Sequence, residues 1–166
     1  MSNNAEQFFE LARHPFKFRL FLFSKLPAAY FSGVRVREVD EHKCSVTIPF
    51  KWLTQNPFQS TYFASLSMAA EMSTGTLALA QIYKRQPPVS MLVVKVESHY
   101  FKKAADRTTF TCEDGLLIKQ AVEDSIATGE GKTVTAKSVG RNKAGEIVAE
   151  FFVTWSFKAK QKPASL

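Results

Sequence analysis

The chain has 166 residues, 45% of them hydrophobic and 22% charged, an ordinary globular mixture and long enough for one domain with a core of its own. Its formal net charge of +7 suits an anionic neighbour (nucleic acid, a membrane surface, a phosphate-bearing substrate) or a solvated basic surface. The basic residues are spread along the chain with no recognition motif, which argues against nucleic acid.

Residues 5 to 26 read as helix, apolar at Phe8, Leu11, Ala12 and Phe16, and Pro15 should break it in two. The run Phe16-Lys17-Phe18-Arg19 interleaves aromatic and basic side chains. That pattern fits a helix on a membrane surface or a helix laid over its own core, and the second is the reading taken. Lys17, Arg19 and Lys25 break the apolar run from Phe16 to Leu26. It is too short and too charged for a membrane span or a secretion signal, so a cytoplasmic protein is expected.

Val34 to Val39 and Cys44 to Phe50 read as strands joined by a turn at Asp40-Glu41-His42. Asn56-Pro57 marks a further turn. From Thr61 to Lys84 the chain is helical and apolar on almost every side, the pattern of a helix inside a domain, and Pro87-Pro88 ends it. Strands are expected at 91 to 102 and 107 to 113, the first alternating Leu92, Val94, Val96, Ser98 and Tyr100 against Lys95, Glu97 and His99.

A short helix from Leu116 to Ile126 should close at Gly129. Strands at 132 to 140 and 146 to 158 flank a turn at Asn142 to Gly145. The last of them points Ile147, Ala149, Phe151, Val153, Trp155 and Phe157 to one face, and 15 phenylalanines promise an aromatic core. The basic tail from Lys158, with Pro163, should fray. Antiparallel neighbours around one apolar helix make an α+β domain.

Cys44 and Cys112 form no Cys-x-x-Cys and read as buried free thiols. His14, His42 and His99 are scattered and give no metal-ligand spacing. No metal or cofactor is expected.

Between Leu53 and Tyr83 one side chain is charged, Glu71. Burying a lone carboxylate is costly unless it is neutralised, paired or reached by water. Desolvation raises its pKa, which suits a general base or acid near neutral pH. On the same helical stripe lie Ala64, Ser67, Thr74, Gly75 and Ala78, small enough to line a cleft. Close packing, with Glu71 paired to a strand Arg or Lys, is the structural alternative. At the start of the helix, Ser60 to Ala64 carry free N–H groups that favour developing negative charge, and Asn56 just upstream carries an amide donor. Such donors with a carboxylate further along make an acyl-transfer layout.

The segment from Asn56 to Gly75, Asn-Pro-Phe-Gln-Ser-Thr-Tyr-Phe-Ala-Ser-Leu-Ser-Met-Ala-Ala-Glu-Met-Ser-Thr-Gly, resembles the opening of the central helix in hot-dog acyl-CoA thioesterases of the phenylacetic-acid-pathway type. The match continues through the strand ending Tyr100-Phe101-Lys102-Lys103-Ala104. Phe16-Lys17-Phe18-Arg19, Lys25-Leu26-Pro27 and Asn56-Pro57-Phe58 also look like a branch of that superfamily whose members have no assigned substrate.

The resemblance implies a hot-dog fold over residues 34–158, an antiparallel sheet wrapped round a long helix, with residues 1–33 as an added helical extension and 1–166 as one domain. It implies an acyl-CoA or other acyl thioester as substrate, and a cleft between the protomers of a homodimer or of a tetramer of dimers. By the same resemblance Glu71 activates water or attacks directly, and Asn56 helps place it. Tyr62-Phe63-Ala64 stands where the family has His-Gly-Gly, and the Phe63 N–H survives the change of side chain. Substrate is expected along Ser60, Tyr62, Phe63, Ser67 and Thr74, with Lys102, Lys103 and Arg107 as candidates for carrier phosphates. The competing reading is a non-catalytic hot-dog binder or scaffold whose acyl pocket is shaped by Tyr62, Phe63 and Met68. A hot-dog hydratase would need a closely spaced Asp and His, which the chain lacks.

Overall fold

The structure is a computed structural model and describes residues 3–160. It opens with three short helices, α1 (Asn3–Arg13), α2 (Pro15–Lys25) and α3 (Pro27–Ser32). Pro15 breaks the first helical run as expected: His14 caps α2 through Nδ1, which accepts from the Lys17 N–H at 3.4 Å, and Pro15 takes the first helical position. Pro27 begins α3 in the same way, and that helix is not among the elements the sequence led us to expect.

Strands β1 (Arg35–Val39) and β2 (Cys44–Ile48) follow, then a 3-10 turn at Trp52–Thr54 and the long helix α4 (Phe63–Ile82). After it come β3 (Val89–Tyr100), β4 (Thr108–Cys112), α5 (Gly115–Thr128), β5 (Lys132–Arg141) and β6 (Ile147–Ala159). α4 is trimmed relative to the sequence expectation. Thr61 spends its N–H and its hydroxyl on the Ala104 carbonyl at 2.8 and 2.9 Å, and Lys84 turns left-handed at φ 49°. β6 runs one residue past its expected end, and the Lys160 N–H donates to Pro88 O at 2.8 Å. Lys158 and Ala159 are therefore strand, while Pro163 lies outside the described residues.

All six strands pair antiparallel in the order β1-β2-β4-β5-β6-β3. The sheet wraps α4, thirteen of whose residues are buried. This is the α+β hot-dog arrangement. α1 and α5 also pack on α4. β6 alternates as expected from Ala149 onward, with Ala149, Phe151, Val153, Trp155 and Phe157 buried, but at its start Val148 is buried rather than Ile147; Phe151 meets Phe110 edge-on at 5.5 Å.

Cys44 and Cys112 are the buried free thiols expected, but two strand features, their opposition and the fate of β3, were not legible in the sequence. Cys44 and Cys112 are directly opposite each other across β2 and β4, both fully buried and both free. Burial pushes the Cys112 thiol up to about 12, and raises that of Cys44 as well. The other feature is β3, which pairs only with β6 and forms an edge of the sheet. A bulge between Val93 and Lys95 breaks its expected alternation, so that Val96 stands opposite the buried Val153 and Leu92 opposite Ser156; Leu92 is 65%, Val94 51% and Val96 49% exposed.

Candidate active site

Glu71 sits halfway along α4, on a stripe of small residues. Gly75, one turn on, carries no side chain. A Cβ there would come within 3.0 Å of Glu71 Oε1 and 3.3 Å of the Trp155 ring. The carboxylate therefore lies over Gly75, next to the indole. Trp155 donates Nε1–H to Thr74 Oγ1 at 3.0 Å, and Thr74 donates to the Glu71 carbonyl at 2.9 Å. Strand β6 thus fixes the helix turn that presents Glu71. The sequence reading passed over Trp155 in this role. The available signal was its inward place in β6, where a buried indole N–H needs an acceptor.

Burial raises the Glu71 pKa above the ordinary carboxylate range, and no neighbouring charge or hydrogen bond offsets this. The structural alternative, a strand Arg or Lys paired to Glu71, has no counterpart among the described residues. Instead the carboxylate faces two apolar recesses. One, of about 410 Å³, is lined by Phe63, Ala64, Ser67, Met68, Val96 and Phe151 among others. The other, of about 450 Å³, lies towards α2 and β3 and includes Leu22, Leu79, Met91 and Trp155.

The other expected site residues divide. Ser67 lines the first recess, with its hydroxyl donated to Phe63 O at 2.9 Å. Thr74 is buried, bonded to Trp155, and lines neither recess. Asn56, Ser60, Tyr62 and Phe63 line a further cavity of about 690 Å³ at the N-terminus of α4, together with Lys102 and Lys103, and Phe63 also borders the first recess. Asn56 is committed to its own turn there: Oδ1 accepts from the Phe58 and Ser60 N–H groups at 3.0 and 3.2 Å, and Nδ2 donates to Ser60 Oγ at 3.1 Å. Tyr62 and Phe63 are exposed with their rings 4.8 Å apart. No side chain caps α4, so the Phe63 and Ala64 N–H groups of its first turn have no side-chain acceptor at the cap. Lys102 pairs with Glu146, Lys103 donates to Phe58 O at 3.3 Å, and Arg107 is exposed outside this cavity.

Phe63 and Glu71 are eight residues apart, which is about 12 Å along a helix axis. One protomer therefore does not bring the free N–H groups and the carboxylate onto a single carbonyl carbon. No helix among the described residues is long and apolar enough to cross a membrane.

Solved structures share this arrangement. A Pseudomonas aeruginosa protein of unknown function, a probable thioesterase, superposes with a TM-score of 0.73 over 93% of this chain and 95% of its own, at 17% identity. The PaaI protein of the phenylacetic acid degradation operon of E. coli gives a TM-score of 0.65 over 96% and 97%, at 14% identity. A thioesterase from Haemophilus influenzae gives 0.60 over 88% and 92%, at 11% identity. At these identities the likeness is one of fold. No curated protein matches the chain in sequence. Residues 18–157 match the family described as a domain of unknown function (DUF4442), and the chain belongs to that family.

Proposed function

We propose that the chain hydrolyses an acyl thioester such as an acyl-CoA, with Glu71 as general base or nucleophile. One observation carries this reading: a mostly buried carboxylate, without a partner, at the meeting of two apolar recesses. Carboxylates are held in such surroundings where a raised pKa is of use. Two of the fold neighbours described above are called thioesterases, which supports the same class. Assay of an acyl-CoA panel, native chain against Glu71→Gln, tests it.

The 12 Å between Phe63 and Glu71 makes this reading depend on a second copy. The Phe63 N–H of one protomer polarises the carbonyl, and Glu71 of the other activates water. The free edge of β3 is the surface for such a pairing: an unpaired strand edge with exposed Leu92, Val94 and Val96 invites a partner strand. Sedimentation at micromolar concentration should show a homodimer, and Val94→Lys should shift it to monomer with loss of hydrolysis. A native monomer, or a monomeric variant of full activity, rules out the shared cleft. In this arrangement Lys102 and Lys103, beside the start of α4, face the anionic carrier.

The second reading is an acyl-ligand binder without turnover. Tyr62 and Phe63 favour it, since their exposed rings stand at the N-terminus of α4 and narrow the approach. Acyl-CoA binding with no hydrolysis would select it.

A further inference from the structure

The recess beneath α2 is longer than a hydrolytic water requires. It runs beside α4 from Glu71 to Leu79, eight residues and so about 12 Å. Its walls come from three directions: Phe21 and Leu22 of α2, Leu79 of α4, and Met91, Val93 and Trp155 of the sheet. Its volume of about 450 Å³ is in the usual range for a small-molecule site.

Polar groups are almost absent from it. Thr76 donates its hydroxyl to Met72 O at 2.6 Å, and the Trp155 N–H is taken by Thr74. Glu71 is the one unspent polar side chain in the lining. A ligand with charges or hydrogen-bonding groups along its length would bury them unpaired, at a cost. A ligand with a long apolar body and one polar end at Glu71 would not. A single aromatic ring is shorter than the recess and would leave its end at Leu79 unfilled.

We propose that this recess holds an extended, apolar acyl chain of medium length, roughly eight to ten carbons over about 12 Å, with its polar end at Glu71. The polar end being a thioester rests on the hydrolase reading above; the preference for an extended chain does not. α2 is then the element that sets chain length. Its inward residues Phe18 and Leu22 are buried, while Phe16, Leu20 and Phe23 of the same helix face outward.

Trp155 in the wall supplies a signal. The only other tryptophan, Trp52, is 80% exposed, so a Trp52→Phe chain emits from the recess alone. Neutral n-alkanols from hexanol to dodecanol serve as probes that need no turnover. Titration should change the Trp155 emission with affinity rising about fourfold per methylene, then levelling near decanol. Leu22→Phe and Leu79→Phe narrow the recess from opposite walls, and either one, if folded, should shorten the length at which affinity levels off. Octanol should bind more tightly than phenethyl alcohol, which has the same number of carbons in a ring-bearing shape.

Affinity flat with chain length, a limit unmoved in both folded variants, or tighter binding of phenethyl alcohol overturns the inference. Length-dependent alkanol binding with no acyl-CoA turned over overturns the hydrolase reading and leaves the recess assignment standing. Turnover of acyl-CoAs with flat alkanol affinity does the reverse.

Discussion

Glu71→Gln should lower acyl-CoA hydrolysis by about 10²–10⁴-fold, the loss typical of a removed general base, and leave the protein at least as stable as before. The amide keeps the shape of the carboxylate and removes a desolvated charge that no described residue neutralises. The native activity should fall as pH drops through the raised pKa of Glu71, because the base works only when ionised. Stability moves the other way. A carboxylate whose folded pKa lies above its ordinary value of 4.5 contributes stability that is fully present below that value and is lost as pH rises through the folded pKa. The gain in Tm from Glu71→Gln should therefore be small in acid and grow towards neutral pH. Thermal melts at several pH values, run beside the hydrolysis assay, check both. Activity retained with a lowered Tm would make Glu71 a structural residue.

Gly115→Ala should cost about 3 kcal/mol, at the upper end of overpacking losses, and lower Tm by roughly 6–12 °C for a domain of this size. Gly115 opens α5 by donating its N–H to His42 O at 3.0 Å across the β1–β2 turn. A Cβ there would stand 2.1 Å from the Glu41 carbonyl oxygen and 2.8 Å from that of His42. Both are backbone atoms, so helix and turn would have to separate. Gly131→Ala is the matched control, since a Cβ at that position meets nothing within 4 Å. Equal melting temperatures for the two variants would mean that the contact yields without cost.

The central helix and its one charge could be read directly from the sequence, because both are local facts. A helix apolar all round has to be inside, and a carboxylate in such a helix has to be accounted for. The β6 alternation was readable for the same reason. What escaped the sequence depends on contacts between distant segments. The period of β3 was only partly legible: a bulge between Val93 and Lys95 puts Val96 opposite buried Val153 and leaves Leu92 opposite Ser156, and alternation can foresee neither such a shift nor the strand's place at a sheet edge. Asn56 was expected to offer its amide to the acyl site; within one chain the amide is held by Ser60, four residues away, in a turn that favours just such local bonds. Thr74 shares the Glu71 stripe by spacing, yet its hydroxyl serves Trp155, a partner 81 residues away. Spacing put these residues on one face and could not say what that face meets.

The two opposed cysteines give the chain a clock. A thiol reagent needs both access and thiolate, and the sheet denies both to Cys44 and Cys112 while β2 and β4 stay paired. Modification then proceeds only through opened molecules, so its rate counts how often the interior of the sheet comes apart. The dependence of that rate on denaturant separates a local parting of two strands from release of the whole chain.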